Sequence, residues 1–227
     1  MSRRRIVTID GPAGVGKSTV SRMTAVELGF TYLDTGAMYR TVGFYMSEQG
    51  VALDDRAGIA ARIAEVEMEL LPAADENSDT RVILCGRDVS GEIRTQEMSM
   101  VASQVSSIPA VRAFLTEMQR RYGEKENIVA EGRDMGTVVF PMAAWKFFLD
   151  ASPEVRTRRR FDQLEERGDL VDFDNLLAQT LERDYQDSHR DIAPLVPAGD
   201  AVIISTDAVD AAGVTAQIIN RVLGNSF

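Results

Sequence analysis

One octapeptide, GPAGVGKS, constrains this chain more than any other feature, because it lies between a short apolar run and an amphipathic stretch. It fits G-x-x-x-x-G-K-[ST], the pattern of a phosphate-binding loop. Gly11, Gly14 and Gly16 lack a Cβ, so the backbone can take positive φ and wrap its N–H groups around a polyphosphate. Pro12, Ala13, Val15 and Thr19 share the nucleotide-binding positions. Lys17 reaches toward the β- and γ-phosphates, and Ser18 offers its hydroxyl to Mg2+. Both flanks agree with this reading: Ile6, Val7 and Ile9 read as a buried strand, and Ser18 to Leu28 as a helix that Gly29 stops. Strand, loop and helix in that order aim the positive end of a helix at an anion. A nucleoside triphosphate is the expected ligand.

The 227 residues, 44% of them hydrophobic, suit one α/β domain with insertions, residues 1–227. A net charge of -10 argues against nucleic acid as a partner, since affinity for a phosphate backbone comes from positive charge. Cys85 is the single cysteine, so no internal disulfide forms and a reducing, cytoplasmic setting is expected. Asp10 cuts the N-terminal apolar run short, and no run is long enough to span a bilayer, so no membrane role is expected. Arginine outnumbers lysine by 22 to 3, which fits bidentate phosphate contacts and fits codon bias equally well.

Along the chain, Phe30 to Leu33 reads as a second strand, followed by a turn at Asp34, Thr35 and Gly36 flanked by Thr35 and Arg40. A helix then runs to about Glu48, and Asp54 or Asp55 caps another through Ile59 and Ile63. The period changes to two at Val66, Met68 and Leu70, and Arg81 to Cys85 is again strand-like. With the polar PAADENSDT between them, these runs predict an antiparallel hairpin outside the main sheet. Asp75, Glu76 and Asp79 in that turn read as solvating residues. Helical spacing resumes at Met98, Val101 and Val105, and Pro109 opens a further helix that Gly123 is expected to close. Asn127 to Ala130 and Trp145 to Leu149 read as buried strands, with Trp145, Phe147 and Phe148 in the core. They end in EGRDMG and DAS, where ligands of open parallel sheets gather. Ser152 and Pro153 start a helix carrying RTRRR, a long helix begins near Phe173, and a last strand, Ala201 to Ser205, precedes a closing helix.

Two basic clusters stand out. Arg183, Asp187 and Arg190 fall at i, i+4 and i+7 and share one face if the helix persists. An exposed ion-pair ladder worth under about 1 kcal/mol explains them as well as a binding face does. Arg156, Arg158, Arg159 and Arg160 form the second cluster. Phosphoryl transfer needs cations on a segment that closes over its substrates, so this run reads as a lid over residues 156–170. His189 is the sole histidine and reads as a surface residue.

The phosphate loop, LDTGAMYR, DVSGEIRTQE, ASQVSSIPAVR, EGRDMGTVVFP, FFLDAS and RDYQDSHRDIAPL occur in that order, and together they resemble the bacterial cytidylate kinase family almost end to end. The resemblance implies a three-layer α/β/α core with a parallel sheet, an α+β nucleotide-binding insertion over about 37–110, and a short helical lid. It also implies transfer of the γ-phosphate of ATP to CMP or dCMP with Mg2+, by a monomer. Carried over by motif, Arg40, Arg133, Arg183 and Arg190 resemble contacts to the acceptor phosphate and Asp187 a partner of the sugar hydroxyl, with Thr35 also on the substrate side. Lys17, Arg133, Arg183, Arg159 and Arg160 resemble the catalytic cations, with Arg156 and Arg159 on the donor nucleotide. Ser103, Arg112 and Asp134 resemble the cytosine readers. Cytosine presents an amino donor beside a ring nitrogen and a keto acceptor, which a carboxylate and an arginine complement. Uracil would set a keto oxygen against Asp134, a buried mismatch that rejects strongly. Glu131 stands where related kinases often carry Asp, which suggests a Mg2+-bound water as its partner.

Two rivals remain at this stage. A kinase for UMP or AMP would keep Lys17 and the lid but lack the Ser103, Arg112 and Asp134 set. A nucleotide switch would need neither arginine cluster, and no N-K-x-D guanine-reading motif occurs.

Overall fold

A computed structural model describes residues 5–72 and 79–224, so Asp75 and Glu76 lie outside the described residues. The strands are β1 (Ile6–Asp10), β2 (Thr31–Asp34), β3 (Met68–Leu71), β4 (Arg81–Leu84), β5 (Arg87–Asp88), β6 (Ile128–Gly132), β7 (Trp145–Asp150) and β8 (Val202–Ser205). The α-helices are α1 (Lys17–Leu28), α2 (Thr35–Glu48), α3 (Arg56–Arg62), α4 (Gln96–Val105), α5 (Pro109–Lys125), α6 (Pro153–Glu166), α7 (Phe173–His189) and α8 (Ala211–Leu223). The described chain divides into two compact units, one over 31–128 and one over 5–30 and 129–224. The insertion expected over 37–110 falls inside the first.

In the second unit the strands lie in the order β6-β1-β7-β8, with β1 parallel to β7 and β7 parallel to β8. This is the parallel α/β sheet that the sequence predicts. Val7, Ile9, Phe147 and Leu149 are buried on it, each such side chain contributing about 1.5–3 kcal/mol. Helices α1 and α8 pack together, as do α6 and α7. Trp145 is only half-buried, with the Arg5 guanidinium 5.1 Å from its ring centroid.

In the first unit β3, β4 and β5 form a separate antiparallel sheet, with Met68 opposite Leu84 and Leu71 opposite Arg81. The predicted hairpin is present, and β5 extends it. That third strand is two residues long, and Gly86, at φ +79, turns the chain into it. Helices α2 and α4 press together where Gly43 has no side chain, since a Cβ there would stand 2.3 Å from Val101 Cγ1.

Side-chain caps explain most helix starts. Asp34, Asp55, Thr95, Ser152, Asp172 and Asp210 each accept a first-turn N–H, at 2.8 Å for Asp34 to Ala37 and 2.8 Å for Asp172 to Asn175.

Three local expectations change. Asp34, Thr35 and Gly36 do not form a turn: β2 runs straight into α2 because the Asp34 carboxylate caps it. Gly123 does not close α5; it is buried inside the helix, which continues until Glu126, whose N–H bonds Tyr122 O at 3.0 Å. Arg190 is not on α7. It follows the last helical residue with φ -65 and ψ 143, so the i+7 spacing does not place it on the helix face.

Candidate active site

The phosphate loop takes the shape its glycines permit. Gly11 has φ +151, and a Cβ on it would lie 2.3 Å from Leu149 O, so only glycine lets β1 leave the sheet there. Helix α1 then begins after Gly16, a left-handed residue at φ 94 with no side chain to cap the first turn. Those first-turn N–H groups get no acceptor from their cap, unlike the capped helices above, which is the condition for anion binding.

Lys17 is buried, and its Nζ donates to Pro12 O at 2.6 Å. Burial pulls its ammonium well below the usual lysine range, and the guanidinium of Arg133 adds to this, with Arg183 in the same sense. Glu131 and Asp187 pull the other way. The loop lysine therefore shares one electrostatic neighbourhood with β6, the segment after it, and α7. An incoming polyphosphate would restore the charge that burial disfavours.

Around that lysine the second unit gathers several predicted residues. Arg133 Nε donates to Asp187 Oδ2 at 2.8 Å. Burial pushes the Asp187 carboxyl up, but Arg133, Arg183 and Arg190 overcome this and hold it below the usual carboxylate range. Arg190, though outside α7, donates from Nε to Ala193 O at 2.6 Å and stands 3.7 Å from Asp134 Oδ1. Glu131 is a buried residue of β6.

Asp10 is a residue that sequence reasoning undervalued, treating it only as the end of an apolar run. Its two carboxylate oxygens accept the N–H groups of Met135 and Gly136, each at 2.8 Å. They anchor a wide turn, Met135–Val139, in which Val139 N–H reaches back to Asp134 O at 3.1 Å and Phe140 N–H to Met135 O at 2.7 Å. Asp10 thereby fixes the segment that carries Arg133 and Asp134. Burial raises its carboxyl to about 6 and the charge of Asp134 adds to the rise, against the pull of the Gly136 and Met135 N–H groups and Lys17. A lone aspartate at a strand end was the available signal.

The α6 cluster divides in the fold. Arg156 is buried against Ala13, Ala151 and Asp184. Arg159 donates to Thr206 Oγ1 at 3.0 Å and to Thr206 O at 2.5 Å, and the Thr206 hydroxyl donates to Val15 O in the phosphate loop. Arg158 lies over the rings of Phe161 and Phe173, and Arg160 is half-buried.

The first unit holds the other predicted residues. Arg40 donates to Asp34 Oδ2 at 3.4 Å, beside the buried Thr35. Arg94, which the sequence did not single out, lies 3.9 Å from Asp34, 3.0 Å from Asp79, and donates to Thr80 O at 2.6 Å. The DVSGEIR segment thus steadies Asp34. Arg112 is buried, donates to Ser106 O at 3.2 Å and faces the Tyr39 ring at 5.8 Å. Ser103 accepts the Ser106 hydroxyl through its carbonyl at 2.7 Å, and its own side chain is half-exposed. His189 is exposed and stacks on Tyr185, as a surface residue would.

Among the described residues no three His, Cys, Asp or Glu side chains gather as a metal cage. Mg2+ delivered with a triphosphate needs only one or two protein oxygens beside the phosphates. The exposed Ser18 hydroxyl in the first turn of α1 fits that demand.

Comparison with known proteins identifies the family. Residues 7–223 match the family model of cytidylate kinase. A cytidylate kinase of Oleidesulfovibrio alaskensis is 46% identical over 221 residues, 97% of this chain and 99% of that one. The cytidylate kinase of Pasteurella multocida is 41% identical over 98% of this chain and 96% of its own. A bifunctional pantoate ligase/cytidylate kinase of Synechococcus elongatus is 46% identical over 99% of this chain but only 44% of its own. The solved structure of an uncharacterized protein from Eubacterium ventriosum aligns with a TM-score of 0.52 at 14% identity, covering 97% of this chain and 99% of that one, a likeness of fold alone. A family match over almost the whole length, on a chain whose phosphate-loop lysine sits among Arg133, Arg183 and Asp187, leads to one conclusion: the chain belongs to the cytidylate kinase family.

Proposed function

We propose that the protein transfers the γ-phosphate of ATP to CMP or dCMP, giving ADP and CDP or dCDP. The observation that carries this reading is the charge arrangement at Lys17, a buried phosphate-loop lysine with two arginines and two carboxylates as its electrostatic neighbours. Phosphoryl transfer through a loose transition state requires positioning and cations more than a general base.

In this reading the loop N–H groups and Lys17 hold the β- and γ-phosphates, with Arg159 on the donor nucleotide, Arg160 as a further catalytic cation and Ser18 as the protein oxygen for Mg2+. Mg2+, when bound, neutralises charge on the donor phosphates. A phosphate oxygen of the acceptor attacks the γ-phosphorus, the bond from that phosphorus to the bridging oxygen breaks, and ADP leaves. Arg133, Arg183, Arg190 and Arg40 meet the acceptor phosphate. Asp187, kept ionised by Arg133, accepts from the sugar hydroxyl. Thr35, Ser103, Arg112 and Asp134 serve the acceptor, the last three by reading cytosine. The 156–170 segment covers the donor and limits hydrolysis. All these roles fall on one chain, so a monomer suffices, and the lone Cys85 fits a reducing cytoplasm. Among the described residues no helix is long and apolar enough to cross a membrane.

The test is ADP release from Mg-ATP with CMP, dCMP, UMP, AMP or no acceptor. Fast release confined to the two cytidine nucleotides is expected; equal release without acceptor would identify a nucleotide hydrolase instead. Asp134→Ala should narrow the preference for CMP over UMP by about 100-fold in kcat/KM. An undiminished preference would take Asp134 out of base reading.

A further inference from the structure

One of the two arginines that the family resemblance assigns to the donor nucleotide is bonded elsewhere. Arg156 is 3% exposed, and its guanidinium makes four hydrogen bonds to three segments of the second unit. Nε donates to Ala151 O at 3.0 Å, Nη1 to Ala13 O at 3.0 Å and to Asp184 Oδ1 at 3.1 Å, and Nη2 to Asp184 Oδ2. Ala13 belongs to the phosphate loop, and Asp184 lies on α7 between Arg183 and Asp187. The fork that would clasp a phosphate already clasps a carboxylate.

Backbone packing at the same point is equally tight. A Cβ on Gly14 would stand 3.3 Å from Arg156 Cβ and 3.5 Å from Arg156 O, so the loop rests directly on α6. Close-packed interiors transmit strain, so a change at Arg156 is felt at both the loop and α7 that it bonds.

From this geometry we infer that Arg156 is a positioning residue: together with Asp184 it fixes the phosphate loop against α7, holding Lys17 in register with Arg183 and Asp187. It acts through Ala13 and Asp184 and does not touch the nucleotide. This inference rests on the kinase reading above, in which Lys17 holds the donor phosphates and Arg183 meets the acceptor phosphate that attacks them.

The experiment compares Arg156→Met, Arg156→Lys, Asp184→Asn and the double variant Arg156→Met/Asp184→Asn. Equilibrium binding of ATP and thermal unfolding are measured beside kcat and KM with CMP. Arg156→Met and Asp184→Asn should each lower kcat about 10- to 100-fold while the ATP dissociation constant stays within about threefold, because misplacement and not lost binding is the defect. The double variant should fall no further than the worse single one, and Arg156→Lys should recover part of kcat by keeping a cation beside Asp184. Asp184 is partly exposed, so Asp184→Asn carries the test if the arginine variants fail to fold. A tenfold or greater weakening of ATP binding in Arg156→Met, with Asp184→Asn unchanged, would overturn the inference in favour of direct donor contact. A lowered melting temperature with kcat intact in Asp184→Asn would overturn it in favour of a purely structural pair. Failure of the kinase reading itself would appear separately, in the wild-type acceptor panel.

Discussion

Arg133 and Arg156 in one unit, and Arg40 and Arg112 in the other, are all buried or half-buried, yet they are held differently. The first two bond to carboxylates, Asp187 and Asp184, on the same helix. Arg112 bonds to the carbonyl of Ser106, and Arg40 reaches Asp34 only at 3.4 Å, where that carboxylate also caps α2. In the first unit Arg81 donates from Nε and Nη2 to one oxygen of Asp88, but that pair lies at the surface, where such pairs contribute little. Burying an ion pair costs desolvation, and fixed charge geometry is what it gives in return. The second unit retains such pairs beside the phosphate loop and Lys17, which is where the proposed phosphoryl transfer would use preorganised charge. In the first, helix packing and caps dominate: Arg112 donates to a neutral carbonyl, and the carboxylate that pairs with Arg40 serves also as the cap of α2.

The contrast can be broken most directly at Arg183. Arg183→Ala should lower kcat by about 1,000-fold or more with the melting temperature nearly unchanged, since it removes a cation from the Lys17 neighbourhood without opening the core. Unchanged kinetics would return α7 to the status of an ion-pair ladder.

Next in size is the pH response of Asp10. Its carboxyl titrates near 6 in the folded chain against an ordinary 3.8, so the native state binds the proton more tightly than the unfolded chain does. Its contribution to stability is therefore most favourable below about 4 and declines as pH rises through about 6, by roughly 3 kcal/mol in all. Unfolding free energies at pH 4 and pH 7 should show this loss in the wild type and not in Asp10→Asn. Parallel pH curves would sink the assignment.

The smallest effect belongs to the first unit. Gly43→Ala forces a Cβ onto Val101 and should cost about 2 kcal/mol of stability, read by denaturant unfolding, with kcat little changed once the protein is folded. A large loss of turnover at unaltered stability would erase the distinction between a unit built on packing and one built on charge.

Much of this was legible in the residues. The phosphate loop, its flanks and the antiparallel hairpin follow from glycine placement and from periods of 3.6 and 2, which are local properties. The family's motifs named Arg133, Asp187 and Arg190 because short runs of sequence carry them intact. Long-range geometry escaped the same reading. Asp10 looked like the end of a strand, because its partners Met135 and Gly136 are more than a hundred residues away. Arg190 looked like a helix residue, because nothing local marks the break after His189. The bonds of Arg156 to Ala151, Ala13 and Asp184 were not legible, because a basic run does not reveal which of its members are already bonded.

The sequence by itself therefore determined the strand, glycine loop and helix of a phosphate-loop arrangement, since each of those depends on neighbours a few positions apart. Only the tertiary structure decided which arginines have a carboxylate to answer to. That choice depends on burial and on which distant oxygen arrives within about 3 Å, the distance at which a hydrogen bond replaces the water a charge has lost.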